Sequence, residues 1–188
     1  GYVWEVPRTD ERYEVRFDGE IQEVWTNEGL KIIHKNYHTV YAVPYDMPII
    51  GYQSALPSTL RLWSARAATR LDLNYFNRGD YIHAAAEREL AEVISKVLYP
   101  ENNHEQGKQL RLKQFYFLAS ATMQSIVRQH KAQYGDLHTL PDKITVQLND
   151  TPPTMAIPEL IRILLDEEGF SWDEAYDIAA RVFNYTNH

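Results

Sequence analysis

The 188 residues carry 26 acidic against 19 basic side chains, a net charge of −7, with Lys and Arg scattered along the chain, which argues against a nucleic-acid partner. Cysteine is absent, so disulfides and thiolate metal sites are excluded. No apolar run approaches the roughly 20 residues of a membrane helix, and we expect a soluble, cytoplasmic protein with no membrane partner.

The chain starts at Gly1-Tyr2 and stops at Asn184-Tyr185-Thr186-Asn187-His188, a polar aromatic segment directly after an amphipathic helix; we expect a piece of a longer protein. Its first part reads as strands. Tyr13-Glu14-Val15-Arg16-Phe17 alternates apolar with polar, and Asp18-Gly19 supplies a hairpin-type turn. Further extended runs follow at Ile21 to Thr26, Thr39 to Val43 and Thr59 to Ala65, punctuated by Pro44, Pro48, Gly51 and Pro57.

From Tyr81 the period becomes helical. Ile82, Ala85, Ala86, Leu90, Val93, Ile94, Val97 and Leu98 share one stripe until Pro100. A polar loop, Glu101 to Gly107, leads into a second helix from about Lys108 to Gln133, whose dense apolar stretch around Phe115, Phe117, Leu118 and Ala121 predicts a central position. A strand over Ile144 to Leu148 precedes a third helix in which Ile157, Leu160, Ile161, Leu164 and Leu165 repeat at helical spacing. Gly169 is placed to end it, and Ser171-Trp172-Asp173-Glu174 predicts a capping box for a fourth helix running to about Phe183. This order predicts an α/β chain and a single partial domain over residues 1–188, strand-rich over about 1–66, with helices around a further strand over 67–188.

The polar end of that strand, Asn149-Asp150-Thr151-Pro152-Pro153, has the composition of a ligand-facing crevice at the carboxyl end of a strand. Asn, Asp and Thr also turn and cap chains everywhere, and the spacing alone favours that local role. His34 and His38 could share one side of a strand, yet no nearby segment supplies further ligands, so no metal site is expected. Arg78-Gly79-Asp80 reads as a turn before Tyr81, and the triplets Asn149-Asp150-Thr151 and Asn184-Tyr185-Thr186 need no sugar. The 13 Tyr and 4 Trp offer rings that could stack on sugars or fill a core. No phosphate loop, nucleophile elbow or paired-carboxylate motif is present.

At Thr59-Leu60-Arg61-Leu62-Trp63-Ser64-Ala65, Phe76 to Tyr81, Val97-Leu98-Tyr99-Pro100, Leu110-Arg111-Leu112-Lys113-Gln114, Pro141-Asp142-Lys143, Gln147 to Thr151, Ala156 to Leu160 and Tyr185-Thr186-Asn187-His188, the chain resembles the α-1,4-glucan phosphorylases, the glycogen, starch and maltodextrin phosphorylase family. The motifs keep the family's order over nearly the whole chain.

The resemblance implies part of the N-terminal Rossmann-like domain of a two-domain glycosyltransferase. The parent would cleave α-1,4-glucan or maltodextrin with inorganic phosphate to give glucose 1-phosphate, using pyridoxal phosphate, and would be a homodimer. None of the chain's lysines stands in the family's cofactor-lysine context, so no cofactor is expected on this chain, which alone should be inactive. The resemblance further implies substrate-binding roles for four residues. Asp150 matches an acid at the glucan acceptor subsites, and His188 a histidine near the glucose 6-hydroxyl. Asn103 falls in the loop gating the active site, within reach of the 2-hydroxyl, and Asn102 beside it stands where an acid is common.

Three departures stand out. Pro152 replaces a substrate-contacting histidine, and His104 and Glu105 stand where muscle-type enzymes carry aromatic rings. The stretch from Arg128 to Leu140 is short, with Gln129 in place of a paired arginine, which implies a parent insensitive to AMP. The competing expectation is a non-catalytic carbohydrate-binding or scaffold domain of the same fold.

Overall fold

The computed structural model describes residues 4–67, 81–97, 100–101 and 103–188, so the expectations for Arg78-Gly79-Asp80, Leu98-Tyr99 and Asn102 lie outside the described residues. The chain divides into two compact units, one made of residues 1–18 and 37–110, the other of 19–36 and 111–188. Helix and strand are mixed, as expected for an α/β chain.

The first unit is built on an antiparallel sheet of four strands: β1 (Val6–Pro7), β2 (Tyr13–Phe17), β5 (His38–Ile49) and β6 (Ser58–Ala67). The alternation read in β2 is realised, because Tyr13, Val15 and Phe17 are buried on one face. Its partner differs from the expected one. Asp18 and Gly19 both adopt positive φ, 58° and 82°, but β2 pairs with β5, Phe17 opposite His38. The hairpin in this region is instead β3 (Glu20–Thr26) with β4 (Gly29–Lys35), in the second unit.

The prolines expected to interrupt the chain lie inside β5. Pro44 O accepts from Arg8 N at 2.9 Å, so the Pro44 nitrogen faces the same side. The donor that Pro44 lacks would have met the Arg8 carbonyl, which instead accepts from Glu11 N at 3.0 Å. Four residues on, Pro48 faces that side beyond Val6, the last residue of β1 paired along it. Arg61 stands opposite Asp46 across β5 and β6 and grips both carboxylate oxygens, at 2.7 and 2.8 Å. That hydrogen bonding holds the Asp46 carboxyl below its ordinary range.

Helix α1 (Tyr81–Lys96) packs on β5 and β6 through Ala84, Glu87, Ala91 and Ile94. Ser95 Oγ accepts from Ala65 N at 2.9 Å and lies 3.3 Å from Ala65 O, so one hydroxyl satisfies the free edge of β6 as a further strand would.

In the second unit, α2 (Glu105–Tyr134) contributes Ala119, Met123 and Val127 to a core shared with Leu148, Leu160, Leu164, Ile178 and Val182. This is the central position its apolar density predicts. A 3₁₀ turn (Leu137–Thr139) and a short helix α3 (Leu140–Lys143) lead to β7 (Val146–Asn149). The third predicted helix is composite: a 3₁₀ turn (Pro152–Met155), α4 (Ala156–Arg162) and a π turn (Ile163–Glu167). Gly169 ends it at φ 74°, with Phe170 N donating to Leu164 O at 2.9 Å, a closure that only a left-handed residue allows without strain.

Helix α5 (Trp172–Val182) begins with the predicted capping box of Ser171 and Glu174. His138 lies 2.8 Å from Asp136 and 3.4 Å from Glu174, and hydrogen bonds to these acids raise its pKa. The residues after Val182 form a strand, β8 (Phe183–Thr186), which the pattern reading left unassigned.

Glu159 in α4 is 3% exposed yet charged. Ser120 Oγ donates to it at 2.6 Å, Tyr116 OH at 3.1 Å, and Arg162 Nε and NH2 at 2.8 and 2.9 Å. Burial, with the Glu159 charge adding, pushes the Tyr116 hydroxyl up to about 12, so it remains a donor. Removing the guanidinium strands a carboxylate inside the unit. Arg162→Ala should therefore lower the unfolding free energy by about 3 kcal/mol in urea titrations, near the low end for breaking a buried pair because Arg162 is partly exposed. A change below about 0.5 kcal/mol, the size of a typical surface substitution, would show the pair to be dispensable.

Candidate functional site

β7 and β8 are adjacent and parallel, in the register Val146↔Phe183, Gln147↔Asn184, Leu148↔Tyr185, Asn149↔Thr186. A parallel pair needs a crossover, here supplied by the chain from Pro152 to Val182. Leu148 turns into the core, 3% exposed, while Gln147 and Asn149 alternate outward. Thr145 Oγ1 ties the entry end, accepting from Asn184 Nδ2 at 2.8 Å.

At the carboxyl end the two strands deliver their polar residues together. Asp150 N donates to Thr186 O at 3.0 Å, extending the ladder by one bond. Gln147 Nε2 donates to Thr186 Oγ1 at 2.6 Å, and His188 Nε2 lies 2.9 Å from Asn149 Oδ1. An amide oxygen can only accept, so in this contact His188 Nε2 is the donor. Tyr185, 49% exposed, holds its hydroxyl 3.1 Å from Asn187 Oδ1, so one of the many tyrosines stands beside this cluster.

Asp150 is the turning residue. Its φ is 72°, a left-handed conformation that Asp tolerates better than most side chains. Oδ1 accepts from Thr151 N at 2.8 Å, and among the described residues Oδ2 has no protein partner. The chain then turns through Thr151, whose carbonyl accepts from Thr154 N and Oγ1, and Pro152 and Pro153 fix its exit into the 3₁₀ turn. An exposed carboxylate, amides, hydroxyls and an imidazole thus converge in one place. They are hydrogen-bonding groups suited to a polyol and contain no activated nucleophile.

Of the residues expected to contact substrate, Asp150 and His188 come together here. Asn103 belongs to the first unit, where its Nδ2 donates to Glu101 Oε1 at 2.8 Å. Its loop is held to the start of α2: Gly107 N donates to His104 Nδ1 at 3.0 Å and Lys108 N to His104 O at 3.2 Å. Gly107 has no alternative there, since a Cβ would sit 1.8 Å from the Glu101 carbonyl oxygen. His104 is therefore a helix cap. The sequence reading did not single out Thr186 and Gln147, which lock the strand end; the signal was the polar alternation of β7 matched by Asn184-Tyr185-Thr186.

A family model described as carbohydrate phosphorylase matches residues 1–188. The chain is 46% identical over 188 residues to a glycogen phosphorylase of Pasteurella multocida and 45% identical over 189 residues to glycogen phosphorylase 2 of Dictyostelium discoideum. It is 44% identical to the muscle form of Homo sapiens over 196 aligned positions. Each comparison covers 100% of this chain and 22%, 19% and 23% of the relative, so the chain spans about a fifth of the length of these relatives.

The turn geometry separates two roles of Asp150. Asp150→Asn keeps a side chain that tolerates positive φ, whereas Asp150→Ala places a Cβ there without that tolerance. Urea unfolding should show the Ala variant about 1 kcal/mol less stable than the Asn variant. Equal stabilities would mean that the left-handed turn does not depend on this side chain.

Proposed function

Because the chain belongs to the carbohydrate phosphorylase family, we propose that it is part of the N-terminal, Rossmann-like domain of a longer α-1,4-glucan phosphorylase and contributes one side of its glucan site. The parent transfers glucose from an α-1,4-glucan or maltodextrin to inorganic phosphate, giving glucose 1-phosphate, and works as a cytoplasmic homodimer. Asp150 and His188 on neighbouring strand ends support this reading most directly, because two parallel strands sharing one carboxyl end form the kind of crevice where α/β proteins hold ligands. Asp150 accepts sugar hydroxyls, His188 orients the glucose unit, and Asn102 and Asn103 act from the gating loop. With Pro152 in place of a histidine, one acceptor contact is missing, and the neighbouring carboxylate carries more of the binding.

The family reading implies pyridoxal phosphate in the parent. A Schiff-base lysine is desolvated so that its amine is neutral. None of the seven lysines here is buried, and Lys131, which reaches Glu168 Oε2 at 2.7 Å, is ion-paired. The residues of this chain do not fit the cofactor, so it binds elsewhere in the parent and the 188 residues alone are inactive.

The short stretch from Arg128 to Leu140, with Gln129 in it, is the feature behind a parent that ignores AMP.

Three measurements test this reading. With maltodextrin, phosphate and pyridoxal phosphate, the isolated chain should yield no glucose 1-phosphate. Asp150→Asn in the full-length parent should weaken acceptor binding by about 1–3 kcal/mol, the cost of losing a charged hydrogen-bond partner. Unchanged KM and kcat in that variant would remove Asp150 from the site. In the same assay AMP should leave the rate of the parent unaltered, and activation by AMP would refute the assignment of the control region.

A further inference from the structure

The first unit contains a buried carboxylate for which the glucan reading has no use. Glu87, in the middle of α1, is 1% exposed. Its Oε1 accepts from Thr39 N at 2.9 Å and lies 3.4 Å from His83 Nε2, one helical turn earlier, while among the described residues its Oε2 has no hydrogen-bond partner. His38, at the start of β5, stacks on His83 with ring centroids 4.6 Å apart, and among the described residues its buried Nδ1 has no partner either. One nitrogen from each imidazole and one Glu87 oxygen lie within 4.8 Å of one another, the one such group among the described residues.

A buried carboxylate facing two imidazoles, with lone pairs unused on both sides, is costly as a purely structural cluster, because each unpaired atom has lost water without replacement. A cation removes the cost at Glu87 and His38. The donor set of two imidazoles and a carboxylate selects a borderline ion; hard ions such as magnesium prefer oxygen donors throughout. Ligand atoms about 2.0–2.1 Å from a tetrahedral zinc ion lie roughly 3.4 Å apart, the separation already present between His83 and Glu87.

We propose that His38, His83 and Glu87 bind a divalent first-row transition ion of the zinc type, with water in the fourth position, and that the ion fastens α1 to the first residue of β5. This site is made of residues of the first unit alone and does not depend on the phosphorylase reading. The sequence reading expected no metal at His34 and His38; the helical spacing of His83 and Glu87 was the signal that mattered.

Titration of the untagged full chain with Zn²⁺ should show one saturable site, and Co²⁺ should give the visible absorption of a low-symmetry, four-coordinate ion. His38→Gln and His83→Gln should each weaken Zn²⁺ binding at least about tenfold with unchanged circular dichroism, while His34→Gln should bind as the wild type does. Zn²⁺ should raise the Tm of the wild type and leave that of His83→Gln unmoved. Glu87→Gln alters a buried residue and could fold poorly, so imidazole NMR of the wild type gives a reading independent of variants: the ring signals of His38 and His83 should shift together on Zn²⁺ addition. Absence of stoichiometric uptake, ring signals that stay in place, or undiminished affinity in the double variant His38→Gln/His83→Gln would each overturn the site.

Discussion

The parallel pairing of β7 with β8 is the constraint on which the candidate site depends. Had the strands run antiparallel, Asp150 and His188 would stand at opposite ends of the pair. Parallel pairing requires the chain to return to its starting edge, and the composite helix and α5 make that return over a core of Leu148, Leu160, Leu164, Ile178 and Val182. Gln147, Asn149, Asn184 and Thr186 are exposed and polar, and Val146, Leu148 and Phe183 pack on that core. The geometry of the polar groups at the strand ends is therefore set by packing on the other side of two short strands.

That packing contains a charge. Glu159 sits at the contact of α4 with α2, and its oxygens are satisfied by Ser120, Tyr116 and Arg162. A wholly apolar contact could be as stable, since desolvating an ion pair costs much of what the pairing returns. What the network adds is direction: only one rotation of α4 on α2 satisfies all these donors. The crossover that enforces parallel pairing is thereby keyed in place.

The first unit solves a different problem, a long strand that has partners on both sides yet contains two prolines. The Arg8 carbonyl that the donor missing from Pro44 would have met accepts from Glu11 N instead, and Pro48 faces beyond β1. The other edge of the sheet is closed by Ser95 of α1, whose hydroxyl serves both backbone groups of Ala65. The same helix brings His83 and Glu87 to His38, so the covering of the sheet and the assembly of the candidate ion site are one event.

Much of this was legible along the chain, because local rules act over a few residues. The alternation of β2, the glycine cap at Gly169 and the capping box at Ser171 depend on backbone preferences and near neighbours, and all three stand as read. The family likeness was carried by motifs such as Leu148-Asn149-Asp150-Thr151, which persist whatever the rest of the molecule does. Partner choice is different in kind. That β2 pairs with β5 and not β3, that Phe183 to Thr186 is a strand beside β7, and that a glutamate in α1 meets a histidine in β5 are joint properties of segments distant in sequence. Each segment alone satisfies several partners equally well, and only the simultaneous burial of all of them selects one. The sequence by itself determined the elements, their caps and the polar chemistry of the strand end. The tertiary structure decided which of those polar groups share a surface, because hydrogen bonds between strands and the closing of a core are settled by the whole unit at once.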